Sequence, residues 1–300
     1  MNYNVIMCVG GDNMKAKYIF FLYDLGISHF ALSQMYKNAN ENEIAEILTG
    51  DYMEFQFKYN IFSEKDIDLL SSPRKIEAAI DNIENIINTF NKENIQIFNY
   101  YDQGYPKNLK NIQNPPFFLF AKGNISILNS EKIISIVGTR KISDETSYKL
   151  KEHVKELVKN DYVTVSGLAF GTDIIVHRET LKWEGKTVAV LPSPITEVQP
   201  VSHQKDAIDI YENGGVLISE YYKADSYNKL SYIHRNRIIS GISSDVLISE
   251  CSEKSGTMHT ARFAYKQHRR LFCLKNKSSG VEKILKSNYA KIYENINSLL

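Results

Sequence analysis

Four stretches of the chain combine glycine with hydroxyl-bearing or basic side chains: Gly138-Thr139-Arg140-Lys141, Ser166-Gly167-Leu168-Ala169-Phe170-Gly171-Thr172-Asp173, His234-Arg235-Asn236-Arg237-Ile238-Ile239-Ser240-Gly241 and Ser255-Gly256-Thr257. Glycine lets a ligand approach the backbone, threonine and serine donate hydroxyls, and the planar fork of arginine suits phosphate. Where such a turn opens a helix, backbone amides also point at the anion. The shared chemistry is phosphate recognition. Bond-breaking machinery is not evident: the dinucleotide pattern G-x-G-x-x-G, the P-loop G-x-x-x-x-G-K-[ST], an acyl-transfer nucleophile elbow and a two-metal carboxylate cluster are all missing. Asp173 and His177 stand at i, i+4, a spacing that permits a catalytic or metal-binding pair. Nothing completes a ligand set, so a structural hydrogen bond that pins the loop is the favoured reading. Arg235 and Arg237 lie about 200° apart at helical pitch. One is therefore free to reach a phosphate while the other braces a neighbour such as Asp245 or Glu250. Ile238 lies about 60° from Arg235 and about 100° from Arg237 at helical pitch, which tilts Arg235 towards the buried flank. Asn236 is suited to orient a loop backbone. Ser255 is placed to cap a helix and to join in anion binding.

These turns need a scaffold that brings them to one edge. Ile133–Val137 is an uncharged run rich in β-branched residues that ends in a glycine turn and feeds a helical pattern, as a buried parallel strand does. Further strands are expected at 162–165, 187–191, 216–218, 245–248 and 271–274, with helices near 143–160, 171–183, 203–213, 232–241 and 257–268. This alternation predicts an α/β fold, a Rossmann-like, parallel-rich sheet with helices on both faces. Each polar turn then falls beyond the carboxyl end of a strand, where open α/β sheets bind ligands. Ile95–Phe98 and Phe117–Ala121 add two strand candidates, and 291–300 fits one more short strand and helix. The first ninety-odd residues carry helical spacing instead, including the stripe Ile76, Ala79, Ile80, Ile83, Ile86, Ile87 and Phe90 after Pro73. The expected division is a small helical domain over 1–94 and the α/β domain over 95–300. Residues 1–13 read as a disordered or mis-assigned leader.

Charge supports the same polarity. Net charge is +1, yet between Asp12 and Glu93 fourteen Asp and Glu oppose eight Lys and Arg. From Lys229 to Lys277 ten Lys and Arg oppose three acids, which suggests one anion-facing end. No apolar run approaches the roughly 20 residues of a membrane span. The three cysteines have no metal-like spacing and fit free thiols in a reducing cytoplasm.

In their order, these stretches resemble the DNA-processing protein A (DprA, also Smf) family. The matching pieces are Tyr105-Pro106, Asn114-Pro115-Pro116, Leu119 with Lys122-Gly123, Ile136–Lys141, Ser166–Ala169 with Gly171, Asp173 and His177, Val188–Leu191, Leu217–Glu220, Arg235–Gly241, and Ser255–Thr257 with Thr260-Ala261. The resemblance implies an extended Rossmann-like fold that binds single-stranded DNA without cutting it. It implies a protein that hands incoming strands to a RecA-type recombinase during natural transformation and forms a homodimer, with no cofactor or metal. Carried over by motif, Gly138, Thr139, Arg140 and Lys141 contact phosphate, Ser166, Gly167 and Gly171 shape the pocket, and Arg235 and Arg237 line it. The sequence departs from the family pattern at Pro192-Ser193-Pro194, at Gln199-Pro200 where Tyr-Pro is expected, at Tyr232-Ile233, at His259 and at Lys275-Asn276. A C-terminal winged helix, present in many members, has no counterpart. Two other readings compete: a pocket that binds, or also hydrolyses, a nucleotide or nucleotide-derived signal, and a partner-binding scaffold.

Overall fold

The computed structural model describes residues 14–299, so the expected leader at 1–13 lies outside the described residues. The chain divides into two compact units after Gln96.

The first unit holds helices α1 (Met14–Leu25), α2 (His29–Asn38), α3 (Glu41–Leu48), α4 (Met53–Tyr59), α5 (Glu64–Leu70) and α6 (Pro73–Lys92). Their starts are written in side chains. Ser28 caps α2, Asn40 and Glu43 form a capping box on α3, Ser63 and Asp66 form another on α5, and Pro73 opens α6. The buried Asp66 carboxylate also accepts from the Ser28 backbone N–H at 2.7 Å and its hydroxyl at 3.0 Å, so one acid ties the starts of α2 and α5. Ile76, Ala79, Ile83, Ile87 and Phe90 form the buried face of α6. The sequence reading anticipated α1, α2, α3 and α6 but not α4 and α5.

The second unit contains β1 (Gln96–Asn99), α7 (Lys107–Lys110), β2 (Phe118–Gly123), β3 (Ile133–Val137), α8 (Asp144–Lys159), β4 (Val163–Ser166), α9 (Thr172–Lys182), β5 (Thr187–Leu191), α10 (Gln204–Glu212), β6 (Val216–Ser219), α11 (Ser231–Ile242), β7 (Asp245–Ile248), α12 (Thr257–Lys266), β8 (Arg270–Leu274), α13 (Ser279–Lys286) and β9 (Ala290–Tyr293). The strands form one sheet in the order β1-β2-β6-β5-β4-β3-β7-β8-β9. From β6 through β9 every neighbouring pair is parallel, while β2 runs antiparallel to β6. Side chains alternate across the sheet. Ile134 and Ile136 face the cluster that includes Leu150, Val154 and Leu157 of α8 and Val176 of α9. Ile133 and Val137 face the cluster that includes Ile238, Ile239 and Ile242 of α11, Ala261 and Ala264 of α12, and Val281 and Ile284 of α13. Helices therefore cover both faces, as expected. Ser135 is the polar exception among the β3 side chains. Its hydroxyl bonds the Ile239 carbonyl at 2.6 Å and the Ser243 hydroxyl at 2.7 Å, fixing α11 to the central strand. Of the elements in this unit, α7 and α13 escaped the sequence reading. Among the described residues no helix is long and apolar enough to cross a membrane.

Candidate functional site

From β3 the chain winds outward through β4, β5 and β6, then returns to add β7 on the other side of β3. Loops leaving β3 and β7 diverge at such a switch point and leave a crevice beyond the carboxyl ends. A cleft of about 740 Å³ lies there, lined by Val137, Gly138, Thr139, Arg140, Ala169, Asp173, Lys229, Tyr232, Ile233, Arg235, Asn236, Ile239, Ser255, Gly256, Thr257 and Thr260. Three of the four glycine and arginine stretches thus supply several lining residues each, and the Ser166–Asp173 loop supplies Ala169 and Asp173.

The turn after β3 is held on all sides. Its Thr139 N–H donates to the Glu250 carbonyl at 2.7 Å, and the Thr139 carbonyl accepts from the Thr172 N–H at 3.1 Å and hydroxyl at 3.2 Å. Thr172 and Ser249 hydroxyls bond each other at 2.8 Å directly beneath Gly138. A Cβ on Gly138 would collide with both oxygens, so glycine is required by close approach. The Thr139 hydroxyl accepts the Lys141 N–H at 3.1 Å. Arg140 is exposed, and its guanidinium stands 5.6 Å from the centre of the Tyr232 ring, a cation–π pairing that aims the charge across the cleft mouth. Lys141 is exposed but does not line the cleft.

The loop after β4 acts as a brace. Ser166 is fully buried, its hydroxyl donating to the Ile136 carbonyl at 2.6 Å. Gly171 has φ +73° and packs on the backbone of Thr139 and Arg140, where a Cβ has no room. Gly167 packs flat against the guanidinium of Arg235. Arg235 is 4% exposed and donates to the Gly167 carbonyl at 2.7 Å, to the Val190 carbonyl, and to Asn236 Oδ1 at 3.2 Å. Burial pulls its pKa down to about 10, partly offset by Asp173. The Asp173 carboxyl is pushed upward by burial, with Arg235 the first of the opposing influences, and accepts the Ala169 N–H at 3.3 Å. Arg235 thus sits on the buried flank and clamps the ends of β4 and β5.

The other expectations fare unevenly. His177 bonds the Thr187 hydroxyl at 2.8 Å rather than Asp173, and burial holds its imidazole down at about 3. The two residues are held by different partners, and of the pair Asp173 alone lines the cleft. Arg237, expected to be the exposed arginine of the pair, is not free: it contacts Glu220 at 2.6 Å and donates to the carbonyls of Asn114 at 3.0 Å and His234 at 3.2 Å. Its side chain is only 14% exposed and does not line the cleft. Ser255 does not cap α12. The cap position falls to Gly256, which has no side chain to offer, and the first amides of α12 meet the cleft uncapped by a side chain. The altered turn after β5 is sealed: Pro192, Ser193, Pro194 and Ile195 are buried, and Ser193 bonds the Glu197 carbonyl while its own carbonyl accepts from Ser219. Lys229 and Ile233 are lining residues that sequence reasoning did not assign to the site, and Tyr232 was noted as a departure from the family pattern. A hint existed in the basic run that begins at Lys229. Among the described residues no group of three or more His, Cys, Asp or Glu is placed to hold a metal ion.

The sequence profile described as DNA recombination-mediator protein A matches residues 96–300. The DNA processing protein DprA of Bacillus subtilis is 32% identical over 200 residues, covering 67% of either chain. Protein Smf of Borreliella burgdorferi is 34% identical over 162 residues, 53% of this chain and 50% of that protein. The matched region thus spans between half and two thirds of these relatives. Among solved structures, DNA processing protein A of Streptococcus pneumoniae superposes with a TM-score of 0.69 at 23% identity, covering 94% of this chain and 96% of that one. DNA processing protein A of Helicobacter pylori, described for its single-stranded DNA binding mode, superposes with a TM-score of 0.60 at 29% identity, covering 67% and 96%.

Proposed function

The chain belongs to the DNA recombination-mediator protein A family, and from that premise we propose that its cleft binds single-stranded DNA by the sugar-phosphate backbone. The observation that carries this reading is the exposed Arg140 guanidinium on the same cleft as the Ser255–Thr257 turn that opens α12, where no side chain caps the helix. Gly138 and Thr139 let a phosphate approach the backbone, while Ser255, Gly256 and Thr257 present the opposite wall. Lys229 adds positive charge to the cleft, and Lys141 extends it beyond. Arg235 and Asn236 support the reading indirectly, by fixing the loops. The role proposed for the whole protein is non-catalytic: it protects incoming strands and loads a RecA-type recombinase during DNA uptake, as a cytoplasmic homodimer.

The rival occupant is a free nucleotide or nucleotide-derived signal, because the cleft has the size of a small-molecule pocket. One gel-shift titration separates the two. A labelled single-stranded oligonucleotide should bind with steep salt dependence and resist competition by mononucleotides and by duplex. Displacement by mononucleotide at comparable concentration would transfer the cleft to the rival. Incubation with magnesium should release neither phosphate nor shortened DNA.

A further inference from the structure

Phe170 stands apart from the apolar residues around it. It is 49% exposed, while Leu168, two residues earlier, is fully buried. The backbone explains the contrast: Leu168 at φ +59° and Gly171 at φ +73° bracket Ala169 and Phe170, so the loop arches and turns the phenyl ring outward. The ring is also supported from beneath. His203 is buried with its Nδ1 donating to the Leu168 carbonyl at 2.8 Å, and its ring centre lies 4.6 Å from that of Phe170. An aromatic ring braced on one side and open to solvent on the other is a platform. Its position is specific. Ala169 lines the cleft, and Gly171 packs directly on the backbone of Thr139 and Arg140. The Phe170 Cα therefore lies within about 8 Å of the Thr139 carbonyl, one residue step beyond that contact.

We propose that Phe170 stacks a nucleobase of the bound single strand at the rim of the cleft, next to the turn that carries Thr139 and Arg140. This deepens the single-strand reading and rests on it. A strand whose phosphates follow the turn after β3 presents its bases outward, and every base has a face that stacks on an aromatic ring. Phosphate contacts at Arg140 then hold the backbone, while the ring holds a base and sets how the strand leaves the cleft towards β5.

The test uses the full chain and a dT oligonucleotide, with Phe170→Ala, Phe170→Trp and Arg140→Ala compared across a salt series. Phe170→Ala should weaken binding on the order of tenfold with the salt slope unchanged, because no phosphate contact is lost. Phe170→Trp should retain the affinity, and its emission should quench on binding in a Trp183→Phe background. An oligonucleotide with abasic sites should erase the difference between wild type and Phe170→Ala. Wild-type affinity in a folded Phe170→Ala, or unquenched Phe170→Trp with DNA bound, overturns the platform while leaving the strand-binding cleft standing. Failure of the wild-type chain to bind any oligonucleotide overturns both.

Discussion

The carboxyl edge of the sheet has two halves built from the same materials. Beyond β3 and β7, glycine turns and one arginine leave an open cleft. Beyond β5 and β6, Pro192–Ile195 is buried, the Ser193 carbonyl accepts from the Ser219 hydroxyl while the Ser193 hydroxyl donates to the Glu197 carbonyl, and the second half is closed. Three arginines report the gradient. Arg140, on the open side, is exposed against a tyrosine ring. Arg235, at the border, spends its donors on the carbonyls of Gly167 and Val190. Arg237 is committed to Glu220 and the Asn114 carbonyl. Residue type alone does not make a phosphate ligand; what matters is whether the protein has already satisfied the guanidinium.

Substitutions can sharpen that gradient or erase it. The largest effect belongs to Arg235→Ala, which strands two buried carbonyls and leaves the buried Asp173 without its offsetting charge. Breaking a buried charged cluster from one side costs about 3–5 kcal/mol, read by urea denaturation. A loss under about 1 kcal/mol would show the clamp to be dispensable. Next comes His177. Its native value of about 3 lies below the ordinary 6.5, so the unfolded chain takes up a proton first as pH falls. The stability it contributes is full above pH 6.5 and is lost as pH drops from there towards 3, with a slope of up to about 1.4 kcal/mol per pH unit. Against the wild type, His177→Asn should flatten this part of the acid profile. Parallel wild-type and variant curves would mean that other groups carry it.

Smaller effects separate the outer arginines. Arg237→Ala breaks a half-buried ion pair and should lower stability by about 1–2 kcal/mol while leaving single-strand affinity and salt slope alone. Arg140→Ala should do the reverse, with an unchanged melting temperature and a salt slope reduced by about 0.7. If Arg237→Ala lowers the slope instead, the sealed half of the edge also meets DNA.

Much of this was legible in the sequence because the α/β unit is built from long periodic signals. Ile133–Val137, Thr187–Leu191 and Asp245–Ile248 are strands with the bounds expected of them. What escaped was short or ambiguous. In α4, Met53, Phe55 and Phe57 alternate as a strand would, and α5 shows only seven residues, although Ser63 and Asp66 at capping-box spacing announce its start. The partners of Arg237 and His177 escaped for another reason. Glu220, Asn114 and Thr187 all lie on other elements, and only the closed fold brings them near.

The tightness around the glycines bears on how the protein can change. Gly138 is filled by Ser249 and Thr172, Gly167 by Arg235, and Gly171 by the backbone of Thr139 and Arg140. Each glycine is thus locked to a different segment, so no single substitution can widen or narrow the turns without a matching change elsewhere. The rim residues Lys141, Phe170 and Lys229 are exposed instead, although the Phe170 ring rests on His203. A lineage exploring new ligands from this scaffold would be expected to vary its rim one residue at a time while its floor stays on a mutational island.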